Sequence, residues 1–190
     1  MNYPGNIKKT YHKIVNYGNR GMELEELINK TNEKLIEDNI AIIYKKPTPI
    51  AVVKYDYNSK RITDAYYQTQ STLDYNGIYK GYYIEFDAKN TNQNNLPLSN
   101  IADHQIKHIK NILNHKGIVF LMIMISSEIF VLDGSYVIDF INNNQRKSIP
   151  YEYIKEYGIK VEYNYLKGID YVPALEELIR RKNEKEENKG

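Results

Sequence analysis

Between residues 19 and 38 the apolar positions fall three and four apart. Leu24, Leu27, Ile28, Thr31, Leu35 and Ile36 share one face of a helix, with Asn19 placed to cap it. Glu23, Glu25 and Glu26 crowd its first turn, where the positive end of the helix dipole accepts them. The period then drops to two. Ile40 to Tyr44 is a short apolar strand, stopped by Lys45-Lys46-Pro47-Thr48-Pro49 because proline donates nothing to a ladder. Ile50 to Tyr57 and Ile62 to Gln70 alternate as strands around an Asn58-Ser59-Lys60 turn. They carry Tyr, Thr, Gln and Lys with few aliphatic residues, so this ribbon cannot be buried on both faces. A hairpin at 74–89 follows, its turn expected at Asn76-Gly77. A polar loop at 90–95 leads to a helix over 101–114 with an inner stripe of Ile101, Ile109, Ile112 and Leu113. Gly117 to Ile125 is apolar enough to be a central strand covered on both faces, and Ile129 to Leu132 is its neighbour. A short helix at 135–142, a basic loop at 144–148, a helix capped by Ser148 and a final helix opened by Pro173 complete the chain. The charged stretch from Arg180 to Gly190 is expected to fray. The order suits an α/β (α+β) fold, a mixed central sheet flanked by helices.

The hairpin carries the candidate chemistry. In Tyr83-Ile84-Glu85-Phe86-Asp87-Ala88-Lys89 the pleat sends Glu85, Asp87 and Lys89 to one face and Ile84, Phe86 and Ala88 to the other. Folding back brings Asp74 toward Asp87. Two carboxylates at one point are costly without a cation between them, and hard oxygen ligands select Mg²⁺ or Mn²⁺. A lysine beside them can orient water or offset charge on a phosphate, which is the apparatus for metal-assisted phosphodiester hydrolysis. A bare D…D-x-K pattern also matches a solvated surface hairpin. Gln105 lies on the buried stripe of its helix, where an amide needs partners. His104 and His108 have the i, i+4 spacing of a zinc helix but no evident third ligand, so a solvated basic face toward DNA is the better reading of them.

Composition narrows the classes. The chain has 190 residues, enough for one domain with a real core. It has no cysteine, hence neither disulfides nor thiol chemistry. No apolar run reaches membrane-spanning length, and the N-terminus lacks the apolar core of a secretion signal. A cytoplasmic protein is expected. The net charge of +2 says little, but its distribution says more. Residues 1–18 form a basic arm with interleaved tyrosines, either a phosphate-neutralising tether or an incidental terminus. Lys45, Lys46, Lys54, Lys60 and Arg61 face only Asp56 as an acid within 45–61. Residues 104–116 hold three lysines, three histidines and no acid. Lys80 in the hairpin, and Arg146 and Lys147 in the later loop, are further phosphate-contact candidates.

The string Asp74-Tyr75-Asn76-Gly77-Ile78-Tyr79-Lys80-Gly81-Tyr82-Tyr83-Ile84-Glu85-Phe86-Asp87-Ala88-Lys89 resembles the active-site segment of the RecU family of Holliday-junction resolvases, in the PD-(D/E)xK nuclease group. Asn19-Arg20-Gly21-Met22, Lys45-Lys46-Pro47-Thr48-Pro49, Asp103-His104-Gln105 and Arg146-Lys147-Ser148-Ile149 match in the same order. The resemblance implies a restriction-endonuclease-like nuclease domain over 19–172, with the ribbon at about 50–71 as a stalk entering the junction, and 173–190 as a C-terminal helix and tail. It implies Asp74 and Asp87 as metal ligands, Lys89 and Gln105 as catalytic partners, and Glu25 as an acidic helix residue near the metal. Glu85 on the same strand face is a further possible ligand. It implies that Arg20 binds DNA or shapes the site, that Mg²⁺ is the cofactor with Mn²⁺ able to substitute, that the protein is a homodimer acting on four-way junction DNA, and that a RecA-type recombinase is a partner. Bacterial relatives commonly carry Glu-Ala-Lys where this chain has Asp87-Ala88-Lys89. The shorter acid is expected to change metal spacing rather than remove activity. A non-catalytic junction-binding or accessory module, and a same-fold nuclease for ordinary duplexes, are the rival functions.

Overall fold

The protein is described from a computed structural model covering residues 20–68, 72–164 and 166–188, with side chains from residue 24 onward. The basic arm, Asn19 and the Arg20 side chain lie outside the described residues. Helix α1 (Arg20–Glu37) is followed by β1 (Ile42–Lys45), then β2 (Ile50–Asp56) and β3 (Arg61–Tyr67). Next come β4 (Tyr75–Tyr79), β5 (Tyr82–Thr91), β6 (Asn95–Pro97), a 3-10 turn (Leu98–Asn100) and α2 (Asp103–Asn114). The chain continues through β7 (Ile118–Ile125), β8 (Glu128–Asp133), α3 (Gly134–Asn143), β9 (Ser148–Pro150), α4 (Tyr151–Tyr157), β10 (Ile159–Asn164), β11 (Gly168–Asp170) and α5 (Val172–Glu187).

A seven-stranded sheet in the order β1-β4-β5-β7-β8-β10-β11 forms the middle layer. All neighbours are antiparallel except β5 and β7, which run parallel with α2 as the crossover. β7 is buried at every position, as its unbroken apolar run requires. Its even-numbered residues Phe120 and Met122 pack with α1 and α5 through Leu24, Ile28, Leu175 and Leu178. Its odd-numbered residues Leu121 and Ile123 pack with α2, α3 and α4 through Ile109, Val137, Phe140 and Ile154. Under α1, Tyr75, Phe86 and Phe120 lie opposite one another on three adjacent strands. Their rings stack at 4.8 and 4.7 Å. This apolar stack holds β4, β5 and β7 in register.

β2 and β3 pair only with each other, and almost every residue is exposed. Asp56 closes the tip by accepting from the Asn58 backbone at 2.9 Å and the Ser59 hydroxyl at 2.6 Å. Tyr57 and Tyr67 stand 84% and 80% exposed, so the ribbon is a projection with no core of its own.

Four local expectations are corrected. The hairpin turns at Lys80-Gly81, not Asn76-Gly77. Lys80 and Gly81 both take positive φ, and Tyr79 pairs with Tyr82 across them. Gly77 sits inside β4, where a Cβ would come within 1.9 Å of the Ile42 carbonyl oxygen of β1. Its role is close strand approach. Ser148 does not cap α4; it lies in β9, and Pro150 stands at the cap position. Strands β10 and β11 extend the sheet beyond the elements expected from periodicity. The charged stretch after Arg180 continues as helix to Glu187, braced by Arg180 to Glu177 and Glu184. No helix among the described residues is long and apolar enough to cross a membrane.

Candidate active site

β5 is the element that builds the site. Its pleat sends Ile84 and Phe86 into the α1 layer, leaving Glu85 and Asp87 pointing into the α2 layer. Both carboxylates are essentially inaccessible, at 1% and 0% exposure. A buried carboxylate needs charge or donors around it, and these two find different ones.

Asp87 is surrounded by the expected residues. With the turn at 80–81, the β4–β5 register pairs Tyr75 with Phe86, so Asp74 comes up beside Asp87. The Asp74 backbone donates to Asp87 Oδ1 at 3.3 Å, and Gln105 Nε2 donates to the same oxygen at 3.2 Å. Lys89 Nζ lies 2.5 Å from Asp87 Oδ2 and donates to Gln105 Oε1 at 3.1 Å. Gln105 thus ties the acid to the base. Its Oε1 also accepts the Ala102 N–H that opens α2, at 3.2 Å, which fixes the amide relative to the helix. The Lys89 contact is an ion pair off the hydrogen-bond axis, so Asp87 Oδ2 remains a buried oxygen with no aligned donor.

Asp74 and Asp87 confront each other. Burial, then the hydrogen bond and charge of Asp87, push the Asp74 carboxyl up to about 7, against a smaller opposing pull from Lys89. Two carboxylates this close repel unless a proton or a cation lies between them. Among the described residues no cluster of three His, Cys, Asp or Glu side chains assembles a closed metal cage. Two carboxylates are a donor set that suits a hard divalent cation.

Glu85 and Glu25, the further possible ligands, each pair with a lysine, and the Glu25 charge also acts on Asp74. Glu25 pairs with Lys45 at 2.7 Å. Glu85 accepts from Lys46, from the Tyr83 hydroxyl at 2.5 Å and from the Leu73 backbone at 3.2 Å, and His108 Nε2 lies at 2.9 Å. Burial alone would raise the Glu85 carboxyl. The hydrogen bonds from Lys46 and Tyr83 and the charges of Lys46 and His108 more than offset it, leaving the acid below its ordinary value. His108 is therefore held against a carboxylate rather than standing on a free basic face. Its tie to Glu85 was legible in principle, because His108 follows Gln105 by three residues on one helix face.

The basic residues divide into three groups. Lys54, Lys60 and Arg61 are exposed along the ribbon and its tip. Arg146 and Lys147 are exposed in the loop before β9, where the Lys147 carbonyl accepts from Leu98 at 2.9 Å, four residues before Ala102. Lys45, Lys46 and Lys80 are already paired, with Glu25, Glu85 and Glu176. Lys80 sits at the hairpin turn, six residues from Asp74, or about 20 Å along the strand. That distance removes it from the chemistry.

The RecU family model, Recombination protein U, matches residues 19–177. The Holliday junction resolvase RecU of Oenococcus oeni is 42% identical over 94% of this chain and 98% of its own length. That of Bacillus cytotoxicus is 44% identical over 89% of each chain. Among solved structures, the Holliday junction resolvase Hjc of Archaeoglobus fulgidus aligns at a TM-score of 0.44 with 8% identity, over 73% of this chain and 94% of its own.

Proposed function

The chain belongs to the RecU family, and from that premise and the Asp74–Asp87 carboxylate dyad we propose that it is an endonuclease that resolves Holliday junctions by symmetric hydrolysis of phosphodiester bonds. The observation that carries this reading is the Asp74–Asp87 pair with Lys89 and Gln105 locked onto it. Asp74 and Asp87 would hold a divalent cation, Mg²⁺ with Mn²⁺ as a substitute, which would supply Lewis-acid chemistry for phosphodiester hydrolysis.

The chain's own residues do the rest. Lys89, held by Asp87 and Gln105, presents an ammonium to the phosphate and positions the attacking water. Gln105 keeps that lysine aimed by donating to Asp87 and accepting from Lys89. Asp87 itself is fully buried under α2, where low local polarity strengthens its contacts with Lys89 and Gln105. Asp87 is one methylene shorter than a glutamate, yet it reaches both Lys89 and Gln105.

The exposed ribbon enters the junction, with Lys54, Lys60 and Arg61 on phosphates and Tyr57 and Tyr67 available for stacking. Arg146 and Lys147 contact the arms. Two strands must be cut in a nearly two-fold substrate, so a homodimer with one site per subunit is the working assembly. The protein acts in the cytoplasm on the nucleoid, alongside a RecA-type recombinase.

The test is cleavage of a labelled four-way junction in Mg²⁺ by wild type and Asp74→Ala, against a linear duplex of the same sequence. Paired symmetric nicks confined to the junction, lost in the variant while binding persists, are the expected result. Binding without cutting in either Mg²⁺ or Mn²⁺ would leave a junction-binding module. Equal cutting of the linear duplex would make it a general nuclease.

A further inference from the structure

Glu85 is buried two residues from Asp87 on the same strand face, and the reaction above does not use it. Its partners share one location. The chain leaves the sheet for the ribbon through Lys46 and returns to it at Leu73. Glu85 holds both: it accepts from the Lys46 ammonium on the outgoing leg and from the Leu73 backbone on the returning leg. The legs are also tied to each other. The Lys46 backbone donates to the Asp74 carbonyl at 2.7 Å, and the Gln68 backbone donates to the Pro49 carbonyl at 3.0 Å. Asp74 is the residue after Leu73, and its backbone in turn donates to Asp87. The root of the ribbon and the metal-binding acid therefore share one short run of backbone, anchored by one carboxylate.

The ribbon's strands pair with nothing but each other, so its root decides how it stands on the domain. Lys46 directly follows β1, and Leu73 lies two residues before β4, at the points where the ribbon leaves and rejoins the sheet. Tyr83 of β5 donates to the other oxygen of the Glu85 carboxylate, and His108 of α2 meets the same oxygen as Lys46 and Leu73, so two further elements converge on the anchor.

We propose that Glu85 is a positioning residue, a clamp that fixes both legs of the ribbon to the catalytic strand and thereby sets Asp74 against Asp87, with Lys46 as its working partner. Seating of the ribbon in a substrate is transmitted to the active site through this clamp. Lys46 is thus a structural tether rather than a phosphate contact, and Glu85 is not a metal ligand. The proposal rests on the reading of Asp74 and Asp87 as the cleavage site.

Amide hydrogen exchange on the full-length protein, without DNA and in chelator, tests the clamp separately from catalysis. The variants are Glu85→Gln, Lys46→Met, their combination, and Lys46→Arg. Lys46→Met keeps the aliphatic stem at a partly exposed position, so it reports even if Glu85→Gln fails to fold. Exchange in peptides covering 45–50 and 72–75 should rise about tenfold in Glu85→Gln and in Lys46→Met, with β7 unchanged, because local opening follows local contacts. Single-turnover junction cleavage at saturating Mg²⁺ should fall about 10- to 100-fold in each, as loss of a group behind a ligand does. Junction Kd should stay within about twofold, and the double variant should be no worse than the poorer single one, since partners acting as a unit are non-additive. Lys46→Arg should retain cleavage within about threefold of wild type, because the ion pair survives. Unchanged exchange at the root, with cleavage by Glu85→Gln recovered by raising Mg²⁺, would overturn the clamp and make Glu85 a ligand. Additive losses in cleavage and junction binding would overturn it in favour of independent DNA contacts. A wild type that never cuts the junction would defeat the cleavage reading, and the exchange data would still decide the clamp.

Discussion

Replacing Asp74 by Asn should stabilise the metal-free protein while abolishing cleavage. The Asp74 carboxyl rises from 3.8 to about 7 through burial and the facing Asp87. A carboxyl raised in the folded state binds its proton more tightly there than in the unfolded chain. The stability it contributes is present at low pH and lost as pH climbs through the window from 3.8 to about 7. At about 1.4 kcal/mol per pH unit, the whole shift is worth at most about 4 kcal/mol. Asp74 is partly open to solvent and Lys89 lies close, so about 2 kcal/mol is a reasonable share after screening. For a domain of this size that is about 4–8 °C in Tm. Thermal melts in EDTA at pH 8 should place Asp74→Asn that far above wild type. At pH 4 the gap should nearly close, because the wild-type carboxyl is then protonated. Adding Mg²⁺ at pH 8 should raise the wild type and leave the variant unmoved. A variant no more stable than wild type at pH 8, or a gap independent of pH, would refute the electrostatic confrontation between Asp74 and Asp87.

Three further outcomes follow from the geometry. Lys89→Met should lower single-turnover junction cleavage by about 10²- to 10³-fold with junction affinity unchanged, measured by gel shift and quenched-flow, because it removes a charge aimed at the phosphate. Phe86→Ala, which empties the middle of the Tyr75–Phe86–Phe120 stack, should cost about 3–5 kcal/mol in urea unfolding. Replacing Lys54, Lys60 and Arg61 together by Ala should flatten the slope of log Kd against log salt by about two to three for junction DNA, with a metal-free melt unchanged, since the three residues lie on a ribbon outside the core.

Much of the candidate site's polar face was legible because alternation in a strand is local. From Glu85-Phe86-Asp87-Ala88-Lys89 the pleat alone assigns the polar side, and the resemblance of the surrounding string assigns its chemistry. The helical stripe of α2 placed Gln105 inward for the same reason. The long apolar run of β7 announced a central strand, and the scarcity of aliphatics over 50–67 excluded a ribbon buried on both faces. These properties depend on covalent neighbours and on the period of one element.

What the tertiary structure alone decided is where distant segments meet. Asn76-Gly77 is a good turn sequence, but the approach of β1 uses Gly77 for close packing, and Lys80-Gly81 makes the turn. A turn centred on 76–77 would have set Asp74 opposite Tyr79; the turn at 80–81 sets it beside Asp87. Likewise, nothing local distinguishes Glu85 from Asp87, two acids on one strand face with equal burial. Their roles separate because Lys46 and Leu73 arrive from the ribbon root onto the first, while Asp74, Lys89 and Gln105 gather on the second. Ser148 reads as a cap until β6 pairs with β9 and takes it into a ladder. In each case local propensity offered two acceptable arrangements, and long-range strand pairing and charge pairing selected one.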